Sequence, residues 1–168
     1  MRPRRDLGGL DGPRLRAPRA RPADAPRLQA CLDAAPGYFE LTEGAPAAPD
    51  HAARLLEDAE GDPARRVHLL VLPKAGLVAG LLDLHLDHPG AGDAHVGLLL
   101  LREACQGQGY GAETVAVLVD ALAAAGYRAL RASVGDENPG ARAFWERMGF
   151  GEAERLARGV TVLERPIG

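Results

Sequence analysis

The stretch Gln106-Gly107-Gln108-Gly109-Tyr110-Gly111 places a glycine at every second position between an apolar run, Ala94–Leu101, and a segment of helical periodicity reaching about Ala125. Residues without a Cβ let the backbone bend tightly and let a ligand approach it closely. The first N–H groups of the helix that follows have no intrahelical acceptor and sit at the positive end of its dipole. The combination makes an anion pocket suited to phosphate or pyrophosphate. Two familiar phosphate loops are excluded. No G-K-[ST] follows, and the spacing is G-x-G-x-G rather than G-x-G-x-x-G.

Outward from this loop, Val115, Val117, Leu118, Val119 and Leu122 wrap most of the helix, which predicts that it is buried, and Gly126 closes it. Ala129–Val134 reads as a strand, Pro139–Met148 as a helix with Asn138 as its cap, and Gly159–Leu163 as a last strand. Upstream, Val67–Leu72, Leu77–Asp87 and Ala94–Leu101 are joined by short turns, which predicts an antiparallel meander. Leu82, Leu84 and Leu86 alternate with Asp83, His85 and Asp87, predicting one buried and one polar face. Nearer the N-terminus, Asp24 reads as an N-cap and Leu28, Cys31, Leu32 and Ala35 as a helix stopped by Pro36-Gly37. A second helix spans about Asp50–Glu60, and Tyr38, Phe39 and Glu40 fall in an irregular stretch between the two. Leu15–Arg19 reads as a short strand at a sheet edge, because of Pro18. Residues 1–13, with three glycines and no periodicity, read as a mobile basic tail before a single domain over residues 14–168.

Composition narrows the function. The 168 residues suit one domain, and 46% hydrophobic with 26% charged residues is ordinary for a globular chain. No apolar run approaches the ~20 residues of a membrane span. The arginine-rich start lacks the apolar core of a secretory signal, so a cytoplasmic protein with no membrane partner is expected. Residues 1–21 carry seven arginines against two aspartates, while the whole chain has a net charge of −3. The folded part is therefore acidic, and no nucleic-acid partner is expected. Two cysteines without a C-x-x-C pair exclude a disulfide scaffold and a cysteine-built zinc site. Ser133 is the only serine and has no G-x-S-x-G around it, which excludes a nucleophile elbow.

Q-x-x-G-x-G after a strand and before a helix resembles the coenzyme A pyrophosphate loop of the GNAT superfamily of N-acetyltransferases. Asn138-Pro-Gly-Ala141-Arg-Ala-Phe144-Trp145-Glu-Arg-Met-Gly149-Phe150 is similar to that family's N-x-x-A-x-x-[FL]-Y-E-x-x-G-F signature. The resemblance covers residues 14–166 in element order and is most specific over 94–150. It implies an α/β GNAT fold: a central mixed sheet, mostly antiparallel, splayed in the middle, with helices on both faces. It also implies acetyl transfer from acetyl-coenzyme A to a primary amine by direct attack in a ternary complex, with no metal. The acceptor is a small-molecule or peptide amine, and a homodimer is possible.

Carried over by position, the resemblance implies that Gln106, Gly107, Gln108, Gly109, Tyr110 and Gly111 hold the pyrophosphate. Asn138, Ala141, Phe144 and Trp145 lie along the pantetheine. Phe144, Met148 and Phe150 also suit a core role. Leu99, Leu100 and Leu101 match the stretch whose free N–H groups hold the pantetheine and thioester oxygen, with Leu101 the oxyanion donor. His95 falls where several members place a catalytic glutamate, so it is the candidate general base, with His85 and Asp83 as rivals. His85, His88 and His95 flank one turn but have no second ligand cluster, so no metal is expected. Cys105 reads as pocket wall or packing. Glu40, Glu43 and Asp50 would suit a cationic acceptor. Trp145 stands where the family's tyrosine acid stands, and an indole N–H delivers no proton at useful pKa. That departure opens the alternative of a catalytically weak or inactive acyl-coenzyme A sensor.

Overall fold

A computed structural model describes residues 7–168. In chain order the elements are β1 (Leu10–Asp11), β2 (Arg16–Ala17), α1 (Ala25–Asp33), α2 (Pro36–Glu43), α3 (His51–Gly61), β3 (Arg65–Leu72), β4 (Leu77–Leu86), β5 (Asp93–Leu101), α4 (Tyr110–Ala124), β6 (Ala129–Gly135), α5 (Pro139–Arg147), β7 (Gly151–Leu156) and β8 (Val160–Pro166). The eight strands form one sheet in the order β1-β2-β3-β4-β5-β6-β8-β7. Every neighbouring pair is antiparallel except β5 and β6, which the α4 crossover makes parallel.

Helices cover both faces, as expected, and each face has its own core. On one, Val115, Leu118 and Leu122 of α4 and Trp145 of α5 pack on Leu82, Leu84, Ala94, Val96 and Leu130. On the other, Leu28 and Leu32 of α1, Phe39 of α2 and Leu55 and Leu56 of α3 pack on Val67, Leu69, Leu81 and Leu100. Strand β4 lies between two covered faces, so it is buried almost throughout, and even Asp83 is 4% exposed. The expected polar face of that strand is therefore corrected. Arg65 neutralises Asp83 with bonds of 2.9 and 2.7 Å, which is how a carboxylate is tolerated there.

Other expectations move as well. The first helix ends at Asp33, ahead of Pro36-Gly37, but these two residues open another helix. Pro36 takes the first turn of α2, where its missing N–H costs nothing, and Tyr38–Glu40 are helical rather than irregular. Asp24 occupies the cap position of α1, but its carboxylate reaches back to the Arg21 N–H at 2.8 Å. The expected tail yields its last part to the sheet: Leu10 pairs with Ala17, is 2% exposed, and makes β2 an inner strand. Two-residue strands carry too little periodicity to be read. Residues 1–6 of that tail lie outside the described residues. Strand β7 has every residue exposed and so no apolar signature, and β8 extends to Pro166.

Candidate active site

The site begins with a defect in β5. Leu84 stands opposite Val96 while Asp83 stands opposite Leu98, so Gly97 is an extra residue, a β-bulge. A Cβ on Gly97 would lie 3.0 Å from His85 Nε2 and 3.1 Å from Asp83 Oδ2, which is why a glycine fits there. The bulge turns the strand over: Ala94 and Val96 pack toward α4, whereas Leu98 and Leu100 pack toward α1 and α3. It also ends the pairing with β6, which holds only from Asp93 to Val96. Beyond that point the two strands part, and β6 continues on its other side along β8 to Gly135.

The parted strands leave backbone groups pointing into a gap. Arg102 N–H donates to the Ala79 oxygen at 2.8 Å. In an antiparallel ladder alternate residues turn to opposite sides, so Leu98 and Leu100 also address β4 while Leu99 and Leu101 present N–H and C=O to the gap. The Leu101 oxygen accepts from the Gln106 side-chain amide at 3.0 Å, which ties the strand end to the glycine loop. Gly80 makes the strand approach possible on the β4 side, since a Cβ there would lie 2.0 Å from the Leu100 oxygen.

A cavity of about 530 Å³ occupies the gap. Of the residues expected to hold the coenzyme, Leu99, Leu100, Leu101, Gln106, Gly107, Gly109, Tyr110, Gly111, Ala141, Phe144 and Trp145 all line it. Gln108 and Asn138 do not. Gln108 faces outward, its carbonyl held by Arg14 at 2.9 Å, and the Asn138 carboxamide accepts from the Ala141 N–H at 3.0 Å as the cap of α5. Ala112, Arg147 and Met148 line the cavity and were missed. Ala141, Phe144 and Met148 recur at helical spacing, so the stripe itself was the signal for Met148. Gly107 and Gly109 have φ of +74° and +84°, so the loop uses their conformational freedom at these two positions. Trp145 is buried, with edge contacts to Phe144 and Phe150, and forms a wall rather than an exposed donor.

His95 is not in the cavity lining. Its ring belongs to the opposite face of β5, directly across from His85 and 5.6 Å, centroid to centroid, from His88. Its Nε2 lies 3.2 Å from Ser133 Oγ on β6, and His85 Nε2 lies 3.8 Å from Asp83 Oδ2. Among the described residues no group of three His, Cys, Asp or Glu side chains is arranged to hold a metal ion. Burial, then His88, His85 and Arg131, push His95 down to about 4, with Asp83 pulling the other way. Burial also lowers His68, whose Nδ1 lies 2.7 Å from the Ala17 oxygen. The unfolded chain therefore takes up protons on these rings below about pH 6.5, while folded His95 takes its proton only near 4. Stability is retained above about 6.5 and falls as pH drops through that window. Urea unfolding of His95→Gln should show a shallower fall between about pH 6.5 and 4 than the parent; parallel curves would mean that His95 is not shielded.

Known proteins resolve what this arrangement belongs to. The model of the acetyltransferase (GNAT) family matches residues 28–150. The chain belongs to that family. An acetyltransferase from Thermus thermophilus has a crystal structure that is 34% identical, with 92% of this chain and 97% of that one covered at a TM-score of 0.85. The ribosomal L7/L12 α-N-protein acetyltransferase RimL, solved with coenzyme A, shares the fold at 17% identity, with 95% and 98% of the two chains covered and a TM-score of 0.75. PaiA N-acetyltransferase from Thermoplasma acidophilum, also solved with coenzyme A, does so at 11% identity, with 90% and 98% covered and a TM-score of 0.72. No curated protein matches the chain. The enzyme is thus an acetyltransferase of the GNAT family, and no helix among its described residues is long and apolar enough to cross a membrane.

Proposed function

We propose that this acetyltransferase binds acetyl-coenzyme A in the β5–β6 gap and transfers its acetyl group to a primary amine by direct attack in a ternary complex. The observation that carries the reading is the gap itself, where the outward N–H groups of Leu99 and Leu101 meet an apolar slot ended by the glycine loop. The loop and the first turn of α4 suit the pyrophosphate, and Ala141, Phe144 and Trp145 suit the pantetheine arm. A backbone N–H in the gap, Leu101 being the assigned donor, stabilises the negative charge that develops on the thioester oxygen. The amine nitrogen attacks the carbonyl carbon, the C–N bond forms, and the C–S bond breaks to release the thiolate. A thiol of ordinary pKa near ~8.5 leaves without an acid, so Trp145 does not forbid turnover.

The acceptor approaches from the α1–α3 face, where His95 takes the proton released as the nitrogen is acylated. A base titrating at about 4 acts only after C–N bonding has made that nitrogen acidic. Tyr38 of α2 is raised first by burial, Thr42 working against it, and also by the charges of Glu43 and Glu137. These two carboxylates, one on α2 and one in the β6–α5 loop, favour a cationic amine.

Thiol release should be followed with acetyl-coenzyme A and a panel of a diamine, an amino acid and a peptide with a free N-terminus. One class should be acetylated with intersecting initial-velocity lines. Parallel lines would replace direct attack by a covalent acetyl-enzyme, and no turnover with any amine would remove the reading.

A further inference from the structure

The turn between β1 and β2 reaches the glycine loop from behind, and it does so through Arg14. The Arg14 Nη1 donates to the Gln108 carbonyl at 2.9 Å, and its Nε donates to Glu113 Oε1 at 2.9 Å. Its guanidinium also lies 4.4 Å from the centroid of the Tyr110 ring, over the ring face. Glu113, in the first turn of α4, completes the latch by accepting the backbone N–H groups of Arg14 and Leu15, both at 3.0 Å. Burial raises this carboxyl, but the Arg14 side chain and the two N–H donors outweigh it and hold the group below the usual carboxylate range. One arginine thus grips three successive parts of the site: the loop, its aromatic residue and the helix that the loop opens.

Peptide geometry gives this grip a direction. In a trans peptide the C=O and the following N–H point opposite ways. Arg14 draws the Gln108 carbonyl outward, so the Gly109 N–H is turned the other way, and Gly109 lines the cavity whereas Gln108 does not. We propose that Arg14 is a positioning residue that holds the Gln108–Gly109 peptide with its N–H facing the coenzyme pyrophosphate. Gly109, at φ +84°, has little steric restraint of its own, so the orientation of that peptide depends on an outside partner. The guanidinium is suited to this because its fork serves the carbonyl and the carboxylate together while its plane lies on the tyrosine; an ammonium has the charge but not the fork.

This inference rests on the proposed coenzyme site, and its test separates the two. Coenzyme A binding should be measured by calorimetry, and acetyl-coenzyme A kinetics recorded, for the parent, Arg14→Ala and Arg14→Lys. Arg14→Ala should weaken coenzyme A binding and raise the KM for acetyl-coenzyme A by about 10-fold, the scale of one lost charge-assisted hydrogen bond, with kcat within about twofold. Arg14→Lys, which keeps charge and length and covers any failure of the alanine variant to fold, should recover only a minor part. Full recovery by lysine would show that charge alone acts and would overturn the orienting role. A lowered melting temperature with unchanged affinity would overturn it too, by making the latch merely structural. A parent protein that binds no coenzyme A would instead remove the proposed function.

Discussion

Gly109→Asp should leave a folded protein whose melting temperature no longer responds to coenzyme A. At about 100 times its Kd, a ligand that binds only the folded state stabilises it by ~2.7 kcal/mol, so the parent gives a clear upward shift. The backbone tolerates the variant, and two effects remove its response. The residue must adopt φ near +84°, which aspartate tolerates better than most side chains, so the cost falls on the loop more than on the fold. A negative charge then stands where the pyrophosphate would bind. The new Cβ also lies 3.1 Å from Arg14 Nη2, so the carboxylate is placed to compete for the guanidinium that holds the Gln108 carbonyl. Differential scanning fluorimetry with and without coenzyme A is the measurement. An undiminished shift in a folded variant would place the coenzyme elsewhere.

His95→Ala should lower kcat/KM for the amine by about 10²-fold at neutral pH, the lower end for a positioned base. Because folded His95 titrates at about 4, it stays neutral throughout the working range, and the rise of activity with pH should track the acceptor amine rather than the imidazole. The deficit should shrink as pH rises and hydroxide or water takes over the proton, while coenzyme A affinity stays at the parent value, since His95 lies outside the cavity lining. A fully active His95→Ala enzyme would transfer the role to His85, which lies directly across the β4–β5 ladder. A loss of coenzyme affinity would show that the ring supports the bulge at Gly97 instead.

The parts of this site that were legible in the sequence are those carried by backbone. The alternating glycines of 106–111, the change to helical periodicity after them, and Asn138 before Pro139 each report a local requirement, for a positive φ, a free N–H or a cap. Leu99 to Leu101 were placed by their resemblance to the family's strand before that loop, and they line the cavity. What stayed hidden was set by contacts distant in sequence. Arg14 and Glu113 are 99 residues apart and meet only because the β1–β2 turn folds over α4. Arginine is so frequent in this chain that no single one stands out.

The sequence by itself determined the succession of strands and helices from β3 to α5, with the glycine loop among them, because each depends on periodicity or on residues a few positions apart. The tertiary structure alone decided which residues of β5 turn toward the cavity and α4 and which turn toward α1 and α3. That choice rests on one inserted residue, Gly97, which inverts the alternation of the strand just ahead of its four leucines. A run of four leucines carries no signal of which way each points. The partner strands supply it: β4 stays paired with β5 on to Leu101, β6 lets go after Val96, and the mismatch between those two ladders opens the gap.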